Sequence, residues 1–217
     1  DNSGVIRLNE DWSICYKVET HNSPSALDPY GGAITGIVGV NRDPLGTGMG
    51  ARLIVNSYGF CFGDPYYKGS PYYRLPGRGE ATLHPKVIFE GVREGVEHGG
   101  NKSGIPTAWG FLTFAPRYMG KPLVFVGTVG LLPATLHGRP SHEKRAQPGD
   151  RIIMAGGRVG KDGIHGATFS SEAMHAGSPA TAVQIGDPIT QKKLADAQIP
   201  IRDLGLYHSV TDNGAGG

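Results

Sequence analysis

Glycine occupies 35 of the 217 positions, and this enrichment limits what the chain can fold into. Roughly half as much glycine is usual in globular proteins. Because these glycines follow no repeat, they indicate many tight turns, or many points where the backbone approaches a ligand closely. The 16 prolines fit the same loop-rich chain.

The densest run of small residues is Gly31–Asp43, with the sequence GGAITGIVGVNRD. This run can pack tightly as a helix or approach a ligand as backbone. Each of its four glycines weakens an isolated helix by up to about 1 kcal/mol, so a helix here must be compensated by close packing. The sequence leaves both structures open.

The charge balance and cysteine content exclude several classes of protein. The net charge of +2 and the pI of 8.5 are too mild for a nucleic-acid binder. Two cysteines, Cys15 and Cys61, exclude a disulfide scaffold and suit the cytosol, so we expect a cytoplasmic location. No apolar run reaches about 18 residues, so we expect no membrane span. The length permits one large domain or two small ones.

Hydrophobic periodicity predicts an alternation of strands and helices. Strands are predicted at 13–19, 51–61, 107–114, 122–132, 151–155 and 207–210, and helices at 84–98 and 188–197. Strands 107–114 and 122–132 are predicted to return on each other like a β-hairpin. Polar loops are predicted at 20–30 and 63–78, and the polar stretch 132–150 is a candidate domain boundary. This mixture predicts an α/β (α+β) fold.

One group of candidate functional residues lies on the first predicted strand and in the loop that follows it. Lys17 and Glu19 share a face of that strand, because side chains repeat every two residues. A cation and a carboxylate together can hold a nucleotide phosphate and its Mg²⁺. His21, in the loop that follows, can move protons near neutral pH. The alternative is a surface ion pair beside a solvated histidine.

Four further segments carry candidate ligands for phosphate or metal. Arg42 and Asp43 end the small-residue run, Gly156–Ser171 is glycine-rich, Gln184 lies in VQIGDP, and Asp212 lies in TDNGAGG. Backbone amides of a glycine loop can face an anion, and Asp oxygens suit Mg²⁺. The alternatives are a helix-end ion pair, a plain loop, a turn before a helix and a frayed chain end. The glycine-rich segment lacks the GxxxxGK[ST] phosphate loop.

Four motifs in order resemble the synthetase part of the phosphoribosylformylglycinamidine synthase family. They are KVETHNSPSALDPYGGAITGIVGVNRD, GGRVGKDGIHGAT, QIGDP and TDNGAGG, and the resemblance covers about 14–217. It implies an aminoimidazole ribonucleotide synthetase-like first domain over 1–145, a sheet packed with helices, and the start of a second α/β domain over 146–217. Family members pair two first domains, as a homodimer or an internal pseudo-dimer, so that the sheets form a shared barrel.

The resemblance also implies an activity. The family converts formylglycinamide ribonucleotide, ATP and glutamine into formylglycinamidine ribonucleotide, ADP, phosphate and glutamate, with Mg²⁺. The amide oxygen is thought to be phosphorylated before ammonia displaces the phosphate. A glutaminase domain or subunit supplies the ammonia, so such a partner is expected. No nucleic-acid or membrane partner is expected.

Residue roles follow from the same resemblance. Lys17 would contact ATP, and Glu19, Asp43 and Asp212 would bind Mg²⁺. The substrate would be contacted by Thr20, His21, Asn22, Ser23, Arg42 and Gln184, with His21 as the proton-transfer residue. Many members have a histidine where this chain has Ser23.

Two alternative functions remain open from the sequence. A sister synthetase of the same superfamily would act on another substrate, although sisters usually carry a different, Asp-rich metal motif. A catalytically inactive nucleotide-binding or assembly module is the other. We expect the chain to be a fragment, a first domain with the start of a second, that lacks turnover in isolation because catalysis needs all its parts in register.

Overall fold

A computed structural model describes residues 2–69, 82–158, 160 and 186–213. The strands are β1 (Gly4–Arg7), β2 (Trp12–Thr20), β3 (Arg52–Phe62), β4 (Thr107–Phe114), β5 (Leu123–Pro133), β6 (Thr135–Leu136) and β7 (Arg139–Pro140). The helices are α1 (Asn22–Leu27), α2 (Pro29–Leu45), α3 (Pro85–Ser103) and α4 (Pro188–Asp203), with a 3₁₀ turn at Pro116–Tyr118. None of these helices is long and apolar enough to cross a membrane.

Five strands form one mixed sheet in the order β1-β2-β5-β3-β4. All neighbours are antiparallel except β3 and β4, which are parallel. β5 takes the centre because its inward side chains Val124 and Val126 are fully buried beneath the helices. The predicted hairpin between β4 and β5 was therefore wrong. Helix α3 connects β3 to a parallel β4 at the sheet edge, and β3 separates β4 from β5.

Helices α2 and α3 cover one face of the sheet, and α2 settles the open question about Gly31–Asp43. The run is helical, with Pro29 in its first turn and the Asp28 side chain accepting a hydrogen bond from Gly31 N at 3.0 Å. Ile37 and Val40 of α2 pack with Tyr58 and Val126 of the sheet in one buried cluster. Close packing thus compensates for the weak helix propensity of glycine.

Glycines on α3 make this packing possible. Gly91, Gly95 and Gly99 lie four residues apart, so they share the face of α3 that contacts α2. A methyl group built on Gly95 would lie 2.6 Å from the Tyr30 carbonyl oxygen and 2.9 Å from the Ala33 Cβ. The helix backbones are therefore closer than any larger side chain on this face allows.

The predicted strands at 13–19, 51–61, 107–114 and 122–132 and helices at 84–98 and 188–197 are confirmed, whereas three other predictions were wrong. The loop at 20–30 contains α1, a short helix packed closely on Gly32 of α2. Residues 151–155 form no strand, since no described strand lies beside them to accept their hydrogen bonds. Residues 207–210 form no strand either; instead Tyr207 Oη donates to Met49 O at 2.7 Å and attaches the segment to the turn after α2. Of the loop at 63–78, residues 70–78 lie outside the described residues.

The α2–α3 contact predicts opposite effects of two glycine-to-alanine changes on α3. Gly95→Ala should lower the free energy of unfolding by about 1–3 kcal/mol, because steric overlap outweighs the gain in helix propensity. Gly100→Ala should raise it by about 0.5–1 kcal/mol. The difference arises because the nearest atom to a methyl group on Gly100 is Tyr58 Oη at 3.7 Å. Urea denaturation of both variants measures this, and equal effects would contradict the packing argument.

Candidate functional site

Three charged side chains meet where β2 lies beside the C-terminal part of α2. Lys17 and Glu19 share one face of β2, as the sequence predicted, and that face is the one toward the helical layer. Lys17 Nζ lies 3.8 Å from Glu19 Oε1 and 3.4 Å from Asp43 Oδ2. Two carboxylates from different elements therefore share one ammonium group.

The surroundings of Glu19 favour its neutral form. Burial, together with the charge and hydrogen bonding of Asp43, raises the pKa of Glu19 to about 7, although Lys17 and Arg42 oppose the shift. Two carboxyl groups this close cannot both ionise without cost unless positive charge is added. The arrangement is thus suited to receiving a cation.

A second ion pair lies on the same turn of α2. Arg42 Nε donates to Asp212 Oδ1 at 3.0 Å, and the Asp212 side chain is only 7% exposed. These two residues are 170 positions apart in the chain. The fold thus brings the last described segment to the helix end that carries Asp43.

Asn2 connects these groups and was missed by sequence reasoning. Its side-chain amide donates to Asp43 Oδ1 at 3.4 Å, and its backbone oxygen accepts from Lys17 Nζ at 3.2 Å. Its Oδ1 accepts from Lys144 Nζ and from Thr211 Oγ1, each at 3.1 Å. No sequence pattern marks Asn2 or Lys144, since their nearness to the site depends on long-range folding.

The run from Thr20 to Ser23 directly follows Glu19, at the C-terminal end of β2 and the start of α1. Thr20 is exposed, whereas Ser23 is fully buried in α1. Asn22 Oδ1 accepts a hydrogen bond from Val124 N at 2.8 Å, which attaches the start of α1 to β5. The polar side chains of this run therefore divide between solvent and the protein interior.

His21 is held beneath α2. A methyl group on Gly36 would lie 3.1 Å from the His21 Cβ, so the missing side chain on α2 provides the space. Among the described residues, buried His21 Nδ1 has no hydrogen-bond partner. Burial lowers the pKa of His21 to about 4, against the opposing effect of a backbone hydrogen bond with Gly32. The imidazole is therefore neutral at pH 7.

Comparison with known proteins decides the family. The profile for "AIR synthase related protein, N-terminal domain" matches residues 1–132, and that for the C-terminal domain matches residues 147–217. The chain belongs to the AIR synthase related protein family. This membership confirms the α+β fold expected from the sequence.

Relatives in this family are similar over the whole chain. Phosphoribosylformylglycinamidine synthase subunit PurL of Thermoplasma volcanium is 35% identical over 219 residues, and that of Thermus thermophilus is 37% identical over 221. Each match covers 100% of this chain but only 27% of the relative. The Thermotoga maritima PurL structure complexed with FGAR has a TM-score of 0.77 at 32% identity, and the ATP complex has 0.72 at 30%. These cover 100% and 99% of this chain, and 31% and 29% of theirs.

In this AIR synthase family chain, the carboxylates of the charged cluster are suited to Mg²⁺ that is also bound by water and phosphate. Within the described ranges, no three His, Cys, Asp or Glu side chains cluster closely enough to hold a metal on their own. Mg²⁺ commonly takes only one or two carboxylates and completes its shell with water and substrate phosphates. Glu19 and Asp43 supply that number of hard oxygen ligands, while Asp212 is paired with Arg42.

The structure thus brings Lys17, Glu19 and Asp43 together and joins Arg42 to Asp212. It places His21 just beyond the C-terminal end of β2, two residues after Glu19. Gln184 and most of Gly156–Ser171 lie outside the described residues.

The raised pKa of Glu19 predicts a pH-dependent effect of Glu19→Gln. Folded Glu19 retains its proton up to about pH 7, whereas its ordinary pKa is 4.5, so its contribution to stability falls as the pH rises between these values. The variant should be more stable by about 1–2 kcal/mol at pH 8, after allowance for solvent screening of a side chain that is partly exposed. Near pH 4.5 the gain should vanish.

Urea denaturation at both pH values measures this effect. Glu94→Gln, a change at an exposed position of α3, is the control and should have little effect at either pH. A gain of equal size at both pH values for Glu19→Gln would contradict the assignment.

Proposed function

We propose that this chain forms the start of the synthetase part of a phosphoribosylformylglycinamidine synthase. In this proposal the whole protein converts formylglycinamide ribonucleotide to formylglycinamidine ribonucleotide with ATP and ammonia. The observation that carries it is the cluster of Lys17, Glu19 and Asp43, found in a chain 35–37% identical to PurL subunits over its full length. The proposed first domain spans 1–145, and the second begins at 146.

The charged cluster would bind the phosphates of ATP. Lys17 Nζ offers a compact positive charge, and it already lies between two carboxylates at 3.4 and 3.8 Å. Glu19 and Asp43 would hold Mg²⁺, and Asp212 would join them after exchanging its contact with Arg42. When bound, Mg²⁺ would neutralise phosphate charge during transfer.

The end of β2 would face the amide substrate. Thr20 is exposed there, and Arg42 presents a planar guanidinium group that suits a phosphate of the ribonucleotide. Asn22, Ser23 and Gln184 are proposed to complete the substrate contacts. We assign His21 the role of proton-transfer residue at the reacting amide, where burial keeps its imidazole neutral at pH 7.

Ammonia would come from a partner. A Thermotoga maritima PurLQS structure is 29% identical to this chain, with a TM-score of 0.67. We propose that a glutaminase domain or subunit hydrolyses glutamine and delivers ammonia to the phosphorylated amide. Ammonia would then displace phosphate and form the amidine.

Nucleotide binding is the first test of this function. Calorimetric titration with a non-hydrolysable ATP analogue should give Mg²⁺-dependent binding, weakened at least about tenfold by Glu19→Ala, because a metal ligand is lost. Glu94→Ala should bind normally. Binding that ignores both Mg²⁺ and Glu19→Ala would contradict the site.

Chemistry is the second arm of the same test and needs the full-length enzyme. His21→Ala should lower turnover by about 10²–10⁴-fold, the usual contribution of a proton-transfer group. Binding of the ATP analogue should weaken less than in Glu19→Ala, since His21 is not one of the charged residues of the cluster. ADP release that depends on a substrate other than formylglycinamide ribonucleotide would favour a sister synthetase.

We also propose that two copies pair through the open face of the sheet. This face carries apolar side chains on β2 and β4, namely Tyr16, Val18, Trp109 and Phe111, and Trp109 is 59% exposed. Phe111 stacks on Phe125 of β5, which makes the apolar surface continuous across the sheet. A face of this kind commonly marks an interface, and a second copy would offer the same surface in return.

Light scattering at tens of micromolar should give a mass of twice 22.9 kDa. Trp109→Lys should convert the protein to a monomer, because it places a charge in the apolar interface. Val87→Lys, at an exposed position of α3 in the opposite layer, is the matched control and should leave the dimer intact. A monomeric mass for the unmodified chain would contradict the pairing.

A further inference from the structure

The end of α2 and the turn after it, Gly46–Gly50, accept hydrogen bonds from side chains in the last described segment of the chain. Gln198 and Arg202 lie one helical turn apart on α4, so both point to the same side. Three backbone oxygens accept hydrogen bonds: Leu45 O from Gln198 Nε2 at 2.6 Å, Gly50 O from Arg202 Nη1 at 2.7 Å and Met49 O from Tyr207 Oη at 2.7 Å. Gln198 and Arg202 are nearly fully buried.

These donors satisfy Leu45 O, the last carbonyl of α2, and two carbonyls of the turn that follows it. The last carbonyls of a helix have no partner within it, and a buried carbonyl without a donor is costly. Gln191 extends the same contact along α2 by donating to Val38 O at 2.6 Å. Polar side chains of α4 therefore replace water over the buried end of α2.

Two glycines of the turn make room for this contact. A side chain on Gly46 would collide with the backbone nitrogen of Asp212, and one on Gly50 would collide with Gln198 Nε2. Gly50 also has a φ of +91°, which disfavours any other residue. The turn with the sequence LGTGMG therefore forms a surface on which residues 198–212 can lie in close contact.

The seated segment ends at the charged site. The Asp212 backbone lies against Gly46, and its side chain pairs with Arg42 at 3.0 Å. Beside it, Thr211 Oγ1 donates to Asn2 Oδ1 at 3.1 Å. We propose that Gln198, Arg202 and Tyr207 are positioning residues that seat residues 198–212 on the Gly46–Gly50 turn and hold Asp212 beside Arg42. Their importance for binding Mg²⁺ and nucleotide rests on the proposed function, whereas the seating does not.

The Arg42 side chain reports on the seating without any ligand. Its Nε–H donates to Asp212 Oδ1, so its exchange with water in ¹⁵N NMR should be slow, and Arg42→Lys identifies the signal. Gln198→Met keeps the side-chain length and removes the donor, and it should speed this exchange by about tenfold. Asp196→Asn, an exposed change on the same helix, is the control. Unchanged exchange in folded Gln198→Met would overturn the proposal.

Further variants keep the proposal testable if Gln198→Met does not fold. Tyr207→Phe removes a single hydroxyl group and should speed the exchange by a smaller factor. Arg202→Lys should restore slow exchange relative to Arg202→Met, because it keeps a charged donor near Gly50 O. Equal exchange in the unmodified protein, Tyr207→Phe and Arg202→Met would overturn the proposal as well.

Titration with Mg²⁺ and the ATP analogue separates the two claims. If the variants bind more weakly in the same order as their exchange rates, the seating assembles the site. If the unmodified chain binds no nucleotide but the exchange rates change, the seating stands and the nucleotide site proposed for this chain fails. If it binds nucleotide and Gln198→Met binds equally well with unchanged exchange, the positioning role is wrong.

Discussion

The close burial of α2 is the constraint on which the rest of the structure depends. Fourteen of its seventeen residues are buried, between the sheet on one side and α1, α3 and α4 on the others. A helix so enclosed must present small residues wherever another backbone approaches. Gly32 meets that requirement against the backbone of α1, and Gly95 of α3 meets it against the backbone of α2, while Gly36 leaves space for His21.

The enclosed helix in turn sets the geometry of the site. Arg42 and Asp43 lie near its C-terminal end, and they cannot shift without disturbing the layers on either side. The space above Gly36 receives His21, and the turn after the helix receives Asp212. One rigid element therefore fixes metal-ligand, substrate and proton-transfer candidates relative to β2, which carries Lys17 and Glu19.

The charged cluster has more carboxyl groups than cations. Lys17 serves both Glu19 and Asp43, so neither carboxylate has a cation of its own, and the pKa of Glu19 is raised to about 7. Asp212, in contrast, is neutralised by Arg42. Such a site is stabilised by added positive charge, which is the behaviour expected of a site that receives a metal together with phosphate.

Local pattern was enough to predict β2, β3, α3 and α4, because each has a clear apolar period or a proline in its first turn. It also placed Lys17 and Glu19 on one face of β2, since the two-residue repeat of a strand is a local property. The predictions that were wrong all depended on distant partners. The central place of β5, the short helix α1 against Gly32, and the docking of residues 207–212 on α2 each arise from contacts that no local pattern encodes.

The sequence by itself determined the types of element, the candidate residues and, through the order of its motifs, the resemblance to a synthetase family. Only the tertiary structure decided that the glycine-rich run is a helix, since its low intrinsic propensity had to be weighed against packing from four directions. Only the tertiary structure brought Asn2, Lys144 and Asp212 to the end of α2 as well. The physical reason is the same in each case: interaction energies depend on distance in space, and a chain encodes that distance only through the folding of all its parts together.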